Sequence, residues 1–288
     1  MVLRVYILAA LSCASPSMAT ACDSVECSCA GIKCIRRGAW TVASSRSFEV
    51  CSLQGNGESK KVVARCEALR SSLLSTLGLD DCEWNPRCQI VLHPTKAQYL
   101  RSVGRGGEAT LGSALIRPTH GRILIRRIDL RSDTPEFLAT TLPHEMCHVL
   151  LADRFRDGGP PLWYDEGLAL LADRRSKQQL HQRDLLVGIR SGEELFLRDV
   201  LTTVSYPAAD RMGVFYGQCA SLTRLLLSLG PPEQIHRFAK RSKEIGVNLA
   251  LEECYSIAGV PELERKWRQT VSVSADRQLP STLPVEAP

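Results

Sequence analysis

The densest chemistry in this 288-residue chain sits in five consecutive residues, His144-Glu145-Met146-Cys147-His148. On a helix, positions i and i+4 share one face, one turn apart. Two imidazoles so placed can hold one metal ion, and the glutamate beside them can act as base toward a metal-bound water. Phe137, Leu138, Leu142, Val149, Leu150 and Leu151 make the segment strongly apolar, so it should be buried. Three buried polar side chains in such a helix need a partner, and a metal provides one. The plainer alternative is a solvated helix whose His and Glu are incidental, and the apolar setting argues against it. Cys147 points away from the His face and reads as a small buried hydrophobe.

A catalytic zinc takes three protein ligands and keeps one position open. Glu166 stands 18 residues beyond His148, in Trp163-Tyr164-Asp165-Glu166-Gly167-Leu168-Ala169. It starts a second helix. Gly167 lets backbones approach closely, and Trp163 reads as a packing residue that positions Glu166. Asp153, Asp157 and Asp165 compete for the third place.

An H-E-x-x-H followed about twenty residues later by Trp-x-x-Glu-Gly-x-Ala resembles the gluzincins, the thermolysin-like and aminopeptidase-N-like clan of zinc peptidases. The resemblance implies one zinc per chain on His144, His148 and Glu166, with Glu145 as general base. It implies hydrolysis of peptide bonds in a peptide or protein substrate. Phe215-Tyr216-Gly217-Gln218 is similar to the helix that carries the transition-state tyrosine in that clan, which gives Tyr216 as a catalytic candidate. Tyr206 and His181 are fallback donors, and a core aromatic is the plain alternative for Tyr216. A metzincin pattern does not fit, because Leu151 stands where its glycine should be.

Gly112–Ile116 and Gly121–Ile125 look like the two strands that precede the zinc helix in aminopeptidase-N-like enzymes. Those enzymes hold the substrate α-amine with a glutamate on the first of these strands. Leu115 takes its place here, with Glu108 as the substitute if the register is shifted. Cleavage is therefore expected to be endopeptidase-like. The resemblance covers roughly residues 45–270, but only the 144–167 block is specific. The competing class is a non-catalytic exported binding module on a zincin scaffold, and an intact Glu145 argues against it.

The elements that must position these residues give an α+β fold: a zincin-like small mixed sheet with helices, then a helical lobe, with the H-E-x-x-H helix between them. The expected segments are a signal peptide (1–21), a cysteine-rich irregular stretch (22–40), an α/β lobe (41–131), the metal-site helix with the helical lobe (132–271) and a polar, mobile tail (272–288). We expect one continuous unit with two lobes. Strands are predicted at 47–51, 88–93, 111–116 and 121–128. An amphipathic helix over 58–77 is ended by Gly78, and a short one covers 94–103. Asp133 and Glu136 read as a capping box, with Pro135 in the first turn. Pro143 either kinks that helix or marks a new one capped by Thr141. Further helices are predicted at 162–172, 177–190, 210–229, 232–243, 247–257 and 261–271. His93 and His120 fall in turns and read as solvated. Arg126-Arg127-Ile128-Asp129 reads as charged surface, with a local ion pair as the alternative.

Composition bounds the rest. Hydrophobic residues at 44% and charged residues at 23% describe an ordinary globular chain. The formal charge of +5 is mild and its basic residues are dispersed, which disfavours a nucleic-acid partner. No apolar run is long enough to span a bilayer. Residues 1–21 have the layout of a secretory signal ending Ala19-Thr20-Ala21, so the protein is expected to be exported: secreted, periplasmic or at the cell surface. Cleavage there would leave Cys22 first, a place for lipid, although Ala19 is a poor match to the Leu wanted three residues before it. Export makes disulfides the expected state of the remaining cysteines, with Cys82–Cys88 as a local bridge. The spacing of Cys22, Cys27, Cys29 and Cys34 leaves a second metal site as the alternative there. The oligomeric state is not legible.

Overall fold

The computed structural model describes residues 31–53, 56–134 and 137–276. The leader, Cys22, Cys27, Cys29, Glu136 and the chain beyond Asp276 lie outside the described residues. The fold is mixed α+β. It divides into two compact units, the first running to Pro160 and including Ala172–Arg174, the second comprising Pro161–Leu171 and the chain from Arg175.

The first unit is built on a six-stranded sheet. Its strands are β1 (Lys33–Arg37), β2 (Trp40–Ser44), β3 (Phe48–Ser52), β4 (Cys88–His93), β5 (Gly112–Thr119) and β6 (Arg122–Arg131), in the order β1-β2-β3-β4-β6-β5. The pairs β3/β4 and β4/β6 are parallel and the others antiparallel. Helix α1 (Asn56–Leu77) supplies the crossover that a parallel β3/β4 pair requires. Its stripe of Val62, Val63, Cys66, Leu73, Leu74 and Leu77 is buried against β2 and β3. Strand β4 is buried along nearly its whole length, as a central strand should be, while β3 alternates. Helix α2 (Lys96–Val103) packs on β4 and β6, capped by Thr95, whose hydroxyl accepts from the Gln98 N–H. Among the described residues β5 pairs only with β6 and forms one edge of the sheet.

After β6, α3 (Phe137–Thr140) is a single turn, and α4 (Leu142–Ala152) begins immediately after it. Thr141 takes the N-cap position and Pro143 lies in the first turn, where its missing N–H costs nothing. The proline thus marks a new helix. Every residue of α4 is buried. It packs on β5, β6 and α1, so the segment 132–160 belongs with the sheet and not with the helical lobe.

Two further expectations fail in this unit. Residues 33–40, read as irregular, contain β1 and the start of β2. Cys82 and Cys88 are not bridged: Cys88 is fully buried at the head of β4, whereas Cys82 Sγ faces Asp153 Oδ2 at 3.9 Å. Cys51, Cys66, Cys219 and Cys254 also carry thiols.

The second unit is helical: α5 (Leu162–Ala172), α6 (Arg175–Ser191), α7 (Leu197–Thr202), α8 (Met212–Ser228), α9 (Pro232–Ile245), α10 (Val247–Tyr255) and α11 (Val260–Asp276). Helix α8 is its centre and packs against α6, α7, α9 and α11. Leu197–Thr202 was not foreseen as a helix, and α11 continues to Asp276, past the expected start of the tail. Among the described residues no helix is long and apolar enough to cross a membrane.

Candidate metal centre

Helix α4 presents His144, Glu145 and His148 within its first two turns, all at most 2% exposed. The two imidazole rings stand perpendicular, with centroids 4.7 Å apart. Glu166, in the second turn of α5, is fully buried. One ligand atom from each of His144, His148 and Glu166 lies within 4.8 Å of the others. Burying two imidazoles and a carboxylate together is costly unless a cation draws them in. Two nitrogens and one oxygen are also the donor set of a three-ligand catalytic zinc. The group fits a metal ion.

The three rival aspartates do not join this group. Asp153 accepts from Trp84 Nε1 at 2.7 Å and pairs with Arg126. Asp157 is exposed and accepts from the Gly121 N–H at 3.0 Å. Asp165 is buried at the neighbouring position of α5 but lies outside the cluster.

A residue not foreseen from the sequence completes the surroundings. Asp173 Oδ2 lies 3.1 Å from His144 Nδ1, both buried. An N–H at Nδ1 donates to this carboxylate, fixing the ring and directing the Nε2 lone pair elsewhere. A signal was available: Asp173 follows the last turn of α5, where a negative charge opposes the helix dipole and wants another purpose.

Glycines set two close approaches. A Cβ on Gly112, at the head of β5, would stand 2.5 Å from Thr141 Cγ2 and 3.1 Å from Glu145 Oε1. The edge strand therefore runs directly beside the Glu145 carboxylate. A Cβ on Gly167 would stand 2.0 Å from Thr223 Oγ1 and 2.8 Å from the Cys219 carbonyl oxygen, so α5 and α8 are in backbone contact beside Glu166. Burial, and then the Glu166 charge, push the Cys219 thiol well above its ordinary pKa. Trp163 is fully buried against Phe238, with ring centroids 5.6 Å apart, a packing residue as expected.

The tyrosine bonded to the Glu166 carboxylate is Tyr206. Its hydroxyl donates to Glu166 Oε1 at 2.5 Å. Tyr216 is 6% exposed and packs its ring against Tyr206 and His181, with centroids 6.5 and 5.5 Å away. The candidate Tyr216 and the fallbacks Tyr206 and His181 thus form one aromatic group, with Tyr206 the member bonded to Glu166.

No protein-family model matches the chain, and a search of the curated proteins finds no match. The functional reading therefore rests on the site itself.

Two sequence readings away from the centre are corrected. His93 is 5% exposed, and its Nε2 lies 2.6 Å from Asp129 Oδ1. Arg126 and Asp129 are likewise buried. Arg127 Nε and Nη2 both donate to Asp129 at 2.8 Å, and Ser102 Oγ does so at 2.8 Å. The charged-surface reading gives way to its alternative, a local Arg127–Asp129 ion pair, buried at its Asp129 end. His120 is exposed, as expected.

Proposed function

We propose that the protein is an exported zinc metallopeptidase of the gluzincin type on a zincin-like scaffold. The observation that carries this reading is the convergence of His144, His148 and Glu166 on one point, with Glu145 buried beside them on the same helix but outside the ligand group. A purely structural metal site has no use for that extra carboxylate.

When bound, zinc polarises the scissile carbonyl and lowers the pKa of its water. The rest is the work of the chain. His144 and His148 present neutral imidazole nitrogens, and Asp173 holds the proton at His144 Nδ1. Glu166 supplies the third ligand, oriented by the Tyr206 hydroxyl. Glu145 accepts the proton from the attacking water and passes it to the leaving amine. An extended substrate can add to the open side of β5 through backbone hydrogen bonds, which brings its chain past Gly112 and so past Glu145. Leu115 on this strand cannot neutralise an ammonium group, and this favours cleavage of internal bonds. Tyr216 is retained as a transition-state donor candidate, acting with Tyr206.

The test is hydrolysis of an N-acetylated peptide library by the zinc-loaded mature protein and by Glu145→Gln. The wild type should cleave acetylated substrates. Glu145→Gln should keep its metal and fold but lose at least about a thousandfold in rate, within the span of base removal and misplaced water. Retained activity in Glu145→Gln would overturn the mechanism. A fully metallated wild type that cleaves nothing would leave a binding module.

A further inference from the structure

Helices α6 and α8 cross at backbone contact. A Cβ on Gly217 would stand 2.4 Å from the His181 carbonyl oxygen and 2.6 Å from Leu185 Cβ. Along the same pair of helices lies a cavity of about 550 Å³, also lined by α11. That is within the ordinary range for a small-molecule site and too large for a bare inorganic ion. Its polar lining includes Arg175, Gln178, Gln182, Ser221, Arg224 and Thr270, and among the described residues no acidic one lines it.

Arg224 is the unusual member. It is half-buried, and its Nη2 donates to Gln178 Oε1 at 2.9 Å. Burial lowers its pKa, with no carboxylate acting on it among the described residues. A guanidinium stays protonated in proteins, so this charge is kept without an ionic partner beside an open cavity. A guanidinium has five N–H donors in a planar fork that fits carboxylate or phosphate oxygens bidentately. Ser221 Oγ already accepts from Trp267 Nε1 at 3.1 Å, which leaves its own proton to donate. Arg175 adds a second positive charge from an exposed position on the lining.

We propose that this cavity binds a small organic anion, its carboxylate or phosphate oxygens on Arg224 and its remaining polar groups on Gln182, Ser221 and Thr270. The site lies wholly within the helical unit and stands independently of the peptidase reading.

The experiment titrates the mature protein with succinate and with glucose 6-phosphate, following melting temperature and calorimetric heat, against sodium chloride at matched ionic strength. At least one probe should raise the melting temperature saturably, and the one that does so identifies carboxylate or phosphate as the source of the anionic oxygens. Arg224→Gln should weaken that binding about tenfold or more, the loss of a charge-assisted pair. Should Arg224→Gln fail to fold, the exposed Arg175→Gln decides by the same criterion. Two results would overturn the proposal: neither probe acting beyond chloride, or wild-type affinity in the deciding variant.

Discussion

The first unit holds two buried histidine–aspartate pairs that look alike in isolation and differ in what surrounds them. His93 and Asp129 bridge β4 and β6, and His144 and Asp173 sit beside the H-E-x-x-H helix. Asp129 is also met by the Arg127 guanidinium and the Ser102 hydroxyl, so its charge is answered within the protein. Burial alone would raise its pKa, but the hydrogen bonds from His93 and Arg127 outweigh it and bring it down to about 2. The second pair opens onto His148 and Glu166. There the protein gathers imidazoles and carboxylates, and in our reading the cation is supplied from outside. A buried histidine–carboxylate pair is therefore not a signature of function. What distinguishes the two is whether the protein supplies the positive charge itself.

The largest effect expected from this contrast is on stability. Asp129→Asn removes the carboxylate that accepts from the half-buried Arg127 and lies against the buried His93, and should cost about 3 kcal/mol, the loss of charge-assisted hydrogen bonds. Zinc content should stay at the wild-type level. Denaturant unfolding with metal analysis checks both, and a loss of metal alongside the stability would show that the two clusters are not separate in role.

Little of this contrast was legible in the sequence. Periodicity marked most of the helices and four strands, because each buries one stripe or one face against a neighbour. It missed β1, whose five residues hold a cysteine, a lysine and two arginines, and β2, which is only five residues long. Arg126-Arg127-Ile128-Asp129 carries three charges in four residues and so reads as surface. Only the tertiary fold brings His93 of β4 and Ser102 of α2 to Asp129, and Asp153 to Arg126. His144, Glu145, His148 and Glu166 were legible because their spacing on helices is local. Asp173 and Tyr206 were not read as a pair of supporting groups, since a hydrogen bond across 29 or 40 residues leaves no periodic trace. The expected Cys82–Cys88 bridge failed for a related reason. Closeness in sequence says nothing about a strand start that turns one thiol into the core.

Asp173→Asn sharpens the comparison from the other side. Loss of the carboxylate on His144 should weaken zinc affinity by about 10- to 100-fold, the usual cost of removing such a supporting group. Competition with a chromogenic chelator measures it. An unchanged affinity would mean that Asp173 only fills space.

The smallest expected effect is the acid response of the ionic cluster. A folded pKa of about 2 against an ordinary 3.8 contributes about 2 kcal/mol, fully present above pH 4 and lost as pH falls through 2. In Asp129→Asn the stability curve should therefore lie below that of the wild type at neutral pH, and the gap should narrow by about 2 kcal/mol as pH falls from 4 to 2. Parallel curves over that window would place the acid sensitivity elsewhere.

The most direct test of the central claim is a zinc count on the purified mature chain beside His148→Ala. The account predicts about one zinc per wild-type chain, and loss of stoichiometric metal in His148→Ala with the fold retained by circular dichroism. A full zinc in His148→Ala would contradict it and place the metal elsewhere, with Cys22, Cys27, Cys29 and Cys34 the next candidates.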